Sequence, residues 1–134
     1  MNTLPHWWQN GVIYQIYPKS FQDTTGSGTG DLRGVTARLD YLKTLGIDAI
    51  WLTPFYISPQ IDNGYDVANY IAIDPAYGTL DDFDELVAQA HARGIRIVLD
   101  MVFNHTSTQH AWFRESLKKE SPYRQFYIWR DGTP

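Results

Sequence analysis

Short apolar runs alternate with amphipathic stretches along this chain. Three runs, at residues 12–17, 47–52 and 95–102, are rich in β-branched and aromatic side chains and predict three β-strands. From residue 95 to residue 99 the third run is β-branched at three positions and carries apolar residues on consecutive rather than alternate positions. This pattern is typical of a strand that is buried on both faces of a parallel sheet.

Two amphipathic helices are predicted between the strands. Five apolar residues spaced three or four positions apart mark the first helix: Leu32, Val35, Leu39, Leu42 and Leu45. Gly46 follows them as a helix stop. The second helix begins at Thr79 and Asp82, which resemble a capping box, and it ends at Gly94. Four apolar residues share one face of this helix: Phe83, Leu86, Val87 and Ala90.

The order β-α-β-α-β predicts an α/β fold with parallel strands and right-handed crossovers. Residues 55–77 are predicted to be irregular, residues 108–118 to form a short helix, and residues 126–129 to be β-prone after a break at 121–122. Three parallel strands with two helices leave an open strand edge, which native proteins avoid. We therefore expect this chain to be the front part of a larger protein.

Composition and charge exclude several classes of partner. The 134 residues are 43% hydrophobic and 19% charged, as in a globular protein. The net charge of −4 leaves no basic stripe for phosphates, so we expect no nucleic-acid partner. There is no cysteine for a disulfide, no signal-peptide pattern at the start and no apolar run long enough to span a membrane. These features predict a cytoplasmic protein without a membrane partner.

Polar side chains follow the third predicted strand directly. Asp100, Asn104 and His105 come at its carboxyl end, which is where parallel α/β folds build their sites. A carboxylate, an amide and an imidazole grouped at this position are suited to a functional site. The alternative is that Asp100 caps a loop and His105 is a structural histidine. Aromatic residues make up 15% of the chain, and such rings pack cores or form platforms for sugars.

Five motifs occur in a characteristic order along the chain: Val12-Ile-Tyr-Gln-Ile-Tyr-Pro-Lys-Ser-Phe21, Gly30-Asp-Leu-Arg-Gly34, Ile50-Trp-Leu-Thr-Pro54, Asn63-Gly-Tyr-Asp66 and Asp100-Met-Val-Phe-Asn-His105. Together they resemble the α-amylase family of glycoside hydrolases (glycoside hydrolase family 13), over essentially the whole chain. Within the family, the α-glucosidase branch is the most similar. The expected partner is a small-molecule α-glucoside or a disaccharide phosphate.

The resemblance implies the fold and the type of reaction. The chain would form about three βα units of a TIM (β/α)₈ barrel, residues 1–103, and the start of a domain inserted after the third strand, residues 104–134. The mechanism would be retaining, with a carboxylate nucleophile and a carboxylic acid about 5 Å apart. Both groups belong to the fourth and fifth strands of the family, so no catalytic residue is expected in this chain, which alone should be inactive.

What the resemblance assigns to this chain is a sugar pocket. Asp62 would accept hydrogen bonds from hydroxyls of a terminal glucose, because carboxylates form strong charge-assisted bonds. Tyr65 would offer its ring face to the same sugar, and His105 would bond its 6-hydroxyl. Asp100 would orient an arginine that precedes the nucleophile. Asp66 is expected to staple its loop rather than to bind ligand.

The resemblance also suggests a candidate metal site in the loop 23–31. Relatives with calcium there have the spacing Asp-x-Asn-x-Asp-Gly-x-Gly-Asp, which supplies hard oxygen ligands. Here Thr25 and Ser27 replace the Asn and the middle Asp, which should weaken cation binding. No cofactor is therefore required, although a structural Ca²⁺ remains possible. Its ligands would be Asp23, Thr25, Ser27, the Thr29 carbonyl and Asp31.

Other functions remain open at this stage. A different α-glucosidase, or a sugar isomerase built on the same pocket, would share these motifs. Relatives of this fold that lost catalysis serve as transporter subunits, but they usually lose the pocket residues and carry a membrane helix. A βαβ nucleotide-binding module is the weakest alternative, because no glycine-rich phosphate loop joins the first strand directly to its helix.

Overall fold

The computed structural model describes residues 6–132, so residues 1–5, on which the expected lack of a signal peptide partly rests, lie outside it, as do residues 133–134. In chain order the elements are α1 Trp7–Asn10, β1 Ile13–Ile16, α2 Pro18–Phe21, α3 Leu32–Ala37, α4 Leu39–Leu45, β2 Ala49–Leu52, β3 Tyr56–Ile57, β4 Asn69–Ile73, α5 Leu80–Ala92, β5 Arg96–Leu99, α6 Ala111–Ser116 and a 3₁₀ helix Pro122–Phe126. No helix within this described part is long and apolar enough to cross a membrane.

The described chain divides into two compact units. The sheet unit comprises residues up to 55 together with residues 73–101, and the aromatic unit comprises residues 56–72 together with residues from 102 onward. The expected domain boundary between residues 103 and 104 stays a prediction.

The sheet unit contains a three-stranded sheet in the order β1-β2-β5. Both pairs are parallel, with Ile13 opposite Ala49 and Ala49 opposite Arg96. The predicted β-α-β-α-β order and the parallel pairing are therefore confirmed. Helices α3, α4 and α5 pack their apolar residues into one core with the sheet: Ile16, Leu32, Val35, Leu39, Leu42, Ile50, Leu52, Leu86, Ala90 and Ile95.

The first amphipathic stretch forms two helices instead of the single helix that was predicted. Arg38 separates α3 from α4, because its N–H bonds to Val35 O three residues back and closes a tight turn. The apolar face nevertheless runs through both helices. Leu45 is the exception, with 52% of its surface exposed. Gly46 ends α4 in the left-handed conformation, with φ of 84°, as the sequence indicated.

The second amphipathic helix agrees with its prediction. Thr79 Oγ1 accepts a hydrogen bond from Asp82 N, and Asp82 accepts one from Thr79 N, which completes the capping box. Helix α5 then buries Leu86 and Ala90 completely. Gly94 follows its last turn with φ of 74°.

Strand β5 is not buried on both faces, so that prediction was wrong for the described chain. Arg96 is exposed, and the side chains of residues 97–99 are only half-buried. The reason is the strand order, which places β5 at one edge of the sheet and β2 at the centre. Strand β2, at the centre, is the strand that is buried on both faces, since Ala49, Ile50 and Leu52 have no exposed surface.

The aromatic unit differs most from the sequence-based expectation. Residues 55–77, predicted as irregular, contain β3 and β4, which form a two-stranded sheet. The helix predicted at 108–118 is shorter, because the His110 side chain accepts from Trp112 N and starts α6 there. The β-prone piece at 126–129 is not a strand. This segment directly follows the 3₁₀ helix Pro122–Phe126, whose N-terminus is capped by the Ser121 side chain.

Candidate functional site

The loop that carries Asp62 is closed by a network of hydrogen bonds centred on the half-buried Asp66. The Asp66 carboxylate accepts hydrogen bonds from Ser58 Oγ at 2.8 Å, Ile61 N at 3.0 Å and Asp62 N at 3.1 Å. Ser58 Oγ also accepts from Gln60 N at 2.9 Å. The bonds explain why Asp66 holds its loop together, as its expected role as a staple requires.

The charge of Asp66 is maintained by the same contacts. Burial by itself would raise the pKa of this carboxyl. The hydrogen bonds from Ser58, Asp62 and Ile61 outweigh that effect and lower the pKa below its ordinary value. Asp66 is therefore ionised at neutral pH and acts as an anionic anchor for two loop N–H groups.

The turn after Asp62 leaves its carboxylate at the surface. Asn63 and Gly64 have positive φ of 53° and 98°, a conformation that Asn and Gly tolerate better than other residues. Tyr65 N then donates to Asp62 O at 2.9 Å and closes the turn. As a result the Asp62 side chain is exposed, whereas Tyr65 is half-buried against the small core of Tyr56, Val67 and Val102.

Two hydrogen bonds fix the tautomer of the His105 ring. Asn104 Nδ2 lies 3.2 Å from His105 Nδ1, and His105 Nε2 lies 3.0 Å from Tyr65 O. An amide nitrogen only donates and a carbonyl oxygen only accepts, so Nδ1 is the acceptor and Nε2 carries the proton. The imidazole, which is exposed, therefore donates from Nε2 towards the loop that carries Asp62 and Tyr65.

A set of bonds joins the chain after Tyr65 to the chain around His105. Ser107 N donates to Val67 O at 2.9 Å, beside the bond from His105 Nε2 to Tyr65 O. The Tyr70 hydroxyl reaches Val102 O and His105 O on the same segment. His105, 40 residues after Tyr65, is thus brought next to the turn that carries Asp62 and Tyr65, within the aromatic unit.

Asp100 belongs to the sheet unit, where it follows β5 directly. Its N–H donates to Leu52 O at 3.3 Å, which continues the bonding between β2 and β5 by one residue. The residue is half-buried. Its expected task, orienting an arginine, stays a prediction.

The chemistry of the three residues in the aromatic unit suits a ligand rich in hydroxyl groups. An exposed carboxylate accepts hydrogen bonds, an imidazole with a defined N–H donates one, and a tyrosine ring offers an apolar face. Tyr70, whose hydroxyl donates to main-chain oxygens of Val102 and His105, was not among the candidate residues. It lies in a stretch that was predicted to be irregular and that forms β4.

The loop 23–31 satisfies its carboxylates with its own donors. Asp23 accepts from Thr25 N, Thr25 Oγ1, Gly26 N and Gly28 N at 2.7 to 3.0 Å. The bond from Gly28 N, the strongest of these, and the bonds from Thr25 and Gly26 lower the pKa of Asp23 to about 2. Asp31 accepts from Thr24 N, Thr24 Oγ1 and Gly34 N and thereby caps α3.

These residues do not fit a calcium ion. Asp23 and Asp31 are the only carboxylates in the loop, and Ser27 Oγ is engaged with the main chain of Thr29. No group of three metal-ligating His, Cys, Asp or Glu side chains occurs among residues 6–132. Calcium prefers six to eight oxygen ligands and several carboxylates. The predicted set of calcium ligands, Thr25 among them, is therefore a poor fit and stays a prediction. The loop is held by its own hydrogen bonds.

Comparisons with known proteins agree with this picture. A family profile described as the alpha amylase catalytic domain matches residues 15–134. The chain is 86% identical over its full length to a trehalose-6-phosphate hydrolase of Escherichia coli, and 60% identical over 98% of its length to an oligo-1,6-glucosidase of Heyndrickxia coagulans. It spans 24% of the length of each of these relatives.

A solved structure of isomaltulose synthase from Erwinia rhapontici NX5 is also similar to this chain. The two share 55% sequence identity and superpose with a TM-score of 0.94. The match covers 98% of this chain and 24% of that structure. The parallel α/β arrangement described above is therefore shared with a carbohydrate-active enzyme.

Proposed function

This chain belongs to the alpha-amylase family, and on that premise we propose that the full-length protein is a retaining α-glycoside hydrolase. Its substrate would be trehalose 6-phosphate, cleaved to glucose and glucose 6-phosphate. The observation that carries this proposal is the 86% identity to a trehalose-6-phosphate hydrolase over all 134 residues. Three sequence motifs are similar to those of the same kind of enzyme: Tyr17-Pro-Lys-Ser-Phe21, Asp23-Thr-Thr-Gly26 and Phe126-Tyr-Ile-Trp-Arg130.

In this proposal the aromatic unit supplies the pocket for the non-reducing glucose. Asp62 accepts hydrogen bonds from the sugar hydroxyls, and Tyr65 packs its ring against the sugar face. The His105 Nε2–H group, which donates to Tyr65 O, would also donate a hydrogen bond to the 6-hydroxyl when the sugar binds. Support comes from the exposure of Asp62 and His105 and from the bonds that hold both to one segment.

The catalytic carboxylates belong to later strands in this proposal. The sheet unit would be the first three βα units of a TIM barrel, with Asp100 at the carboxyl end of its third parallel strand. The nucleophile and the general acid would come from the fourth and fifth strands, about 5 Å apart. No carboxylate of this chain takes either role.

A second candidate is another α-glucosidase or a sugar isomerase. It is favoured by the 60% identity to an oligo-1,6-glucosidase and by the likeness to isomaltulose synthase. A transporter-associated relative without activity fits less well, because Asp62, Tyr65 and His105 are all present.

An assay of substrate choice tests the proposal. We expect the purified full-length protein to hydrolyse trehalose 6-phosphate with a kcat/KM at least about tenfold above that for isomaltose, while sucrose yields no isomer. The 134-residue chain alone serves as the control and should turn over none of these sugars. Preference for isomaltose, or formation of an isomer from sucrose, would select the second candidate, and turnover by the short chain would show that the catalytic pair is misplaced.

A further inference from the structure

Tyr70 lies where the two segments of the candidate pocket meet. Its hydroxyl oxygen is 2.6 Å from Val102 O and 2.9 Å from His105 O. These carbonyls stand at the two ends of the four-residue segment that carries His105. The phenol can donate its proton to either one, so a single hydroxyl group spans the segment.

The ring of Tyr70 is fixed by its aromatic neighbours. Its centroid lies 6.1 Å from that of Tyr56, 5.6 Å from that of His110 and 6.4 Å from that of Trp112. His110 is itself buried and packs against Trp112 at 4.5 Å. Because rings packed on several sides have little freedom to rotate, the position of the Tyr70 hydroxyl is set before any ligand arrives.

The Tyr70 hydroxyl also stays in its donating form. Burial raises the pKa of this phenol above its ordinary value, and the nearby Tyr127 adds to the effect. The group is therefore protonated throughout the neutral range and is able to donate to a carbonyl oxygen.

We propose that Tyr70 is a positioning residue for His105, a role that rests on the proposed function of His105 in glucoside hydrolysis. By holding Val102 O and His105 O, the hydroxyl sets the direction in which the imidazole leaves the main chain. The ring then meets Asn104 and Tyr65 O in the orientation that presents Nε2–H to the sugar.

Removal of the hydroxyl group should loosen this segment without unfolding the unit. Ser107 N would keep its bond to Val67 O, and the Tyr70 ring would keep its packing. The two carbonyls would lose their donor, and a small rotation of the segment would turn Nε2–H away from Tyr65 O. Misplacement of a binding group by about 1 Å is enough to cost substantial activity.

The first test compares Tyr70→Phe with Tyr123→Phe in the full-length protein. Tyr123 belongs to the same unit and packs against Phe126, so the control removes the same atom elsewhere. We expect Tyr70→Phe to lower kcat/KM for trehalose 6-phosphate about tenfold, and Tyr123→Phe to change it less than about twofold. Equal kinetics for Tyr70→Phe and the wild type would overturn the proposal.

A double-mutant cycle separates positioning from general loss of stability. His105→Ala should by itself lower kcat/KM by about tenfold or more, and adding Tyr70→Phe to it should then cost less than about twofold. A merely structural tyrosine would give additive losses, because its effect would not pass through the imidazole. Additive losses would therefore overturn the proposal.

A spectroscopic readout tests the inference without turnover. The carbon-bound Cε1–H signal of the His105 ring, assigned by its loss in His105→Ala, should shift or broaden in the NMR spectrum of Tyr70→Phe and stay unchanged in Tyr123→Phe. An unchanged signal in Tyr70→Phe would overturn the positioning role. If the wild-type protein hydrolysed no α-glucoside, the proposed function would fail, and this signal would still decide whether Tyr70 sets the ring.

Discussion

At the scale of single residues, the carboxylate of Asp66 controls more of the candidate site than any ligand-facing group nearby. Three donors converge on it, one of them the N–H of Asp62 itself. The position of the Asp62 side chain therefore depends on a neighbour that need not touch a sugar. The half-buried carboxylate of Asp66 thus acts on the turn rather than on a ligand.

The substitution Asp66→Asn tests this dependence. We expect it to lower the free energy of unfolding by about 1 to 2 kcal/mol, because it weakens charge-assisted hydrogen bonds. Since the folded-state pKa of Asp66 is lowered, the stabilisation is present above the ordinary carboxyl pKa and is lost as the pH falls through the folded value. The wild type should therefore lose more stability on acidification than Asp66→Asn, as measured by thermal unfolding from pH 7 to pH 3.

The matched control is Asp84→Asn on the exposed face of α5. It removes the same charge and should change neither the stability at neutral pH nor its acid dependence by more than a few tenths of a kcal/mol. If both variants behaved alike, Asp66 would be an ordinary surface charge rather than a staple.

The sequence predicted part of this site because its residues stand in compact motifs. Tyr65 and His105 belong to motifs that resemble the family, Asp62 directly precedes one of them, and the structure brings the three residues together. Tyr70 could not be found in that way, because the oxygens it serves lie 32 and 35 residues further along the chain. Hydrogen bonds from a side chain to main-chain oxygens far along the chain leave no local pattern in the sequence.

At the scale of elements, the loop 23–31 shows how hydrogen bonds can replace a cation. Asp23 binds three N–H groups and a hydroxyl, and Asp31 caps the helix that follows. The loop packs tightly onto α2, since a Cβ at Gly30 would collide with Pro18 O and Gly30 N donates to Lys19 O at 2.7 Å. Hydrogen bonds already stabilise the two carboxylate charges that a metal ion would neutralise.

We therefore expect the full-length protein to be insensitive to divalent cations. Neither a chelator nor calcium at about 1 mM should change its Tm by more than experimental error. Asp23→Ala should lower the Tm with or without calcium, because it removes the acceptor of four hydrogen bonds. A fall in the wild-type Tm on addition of a chelator would contradict this account.

A gain of binding provides the matched control for this loop. The pair Thr25→Asn and Ser27→Asp restores the acidic spacing of calcium-binding relatives. The double variant should gain a calcium-dependent rise in Tm that the wild type lacks. Calorimetric titration with calcium would show the same difference directly.

Element boundaries were predictable where the signal was local. The Thr79 capping box, Gly46 and Gly94 fix the ends of α4 and α5, and all three were readable in the sequence. The break at Arg38 was not, because the apolar spacing continues across it. The β-prone residues 126–129 failed as a strand for another reason: the 3₁₀ helix before them and the contact of Trp129 with Arg124 decide their path.

At the scale of the whole molecule, the described chain leaves large apolar side chains exposed in both units. In the sheet unit, Val12 and Ile13 at β1 are 55% and 46% exposed. In the aromatic unit, Phe103 is 83% and Ile128 is 94% exposed. Single exposed apolar residues are ordinary, but edge strands with apolar flanks tend to pair with other chains. The sequence predicted the open sheet edge, whereas the exposure at residues 103 and 128 required the structure.

This exposure predicts the behaviour of residues 1–134 prepared alone. We expect a broad thermal transition and concentration-dependent association, because the edge strands β1 and β5 can pair with another chain. Sedimentation velocity and near-UV circular dichroism would measure these properties, with the full-length protein as the reference. Replacing Ile13 by Lys puts a charge on the edge strand and should reduce the association without restoring a sharp transition. A cooperative, concentration-independent transition of a monomer would mean that the two units form a complete core by themselves.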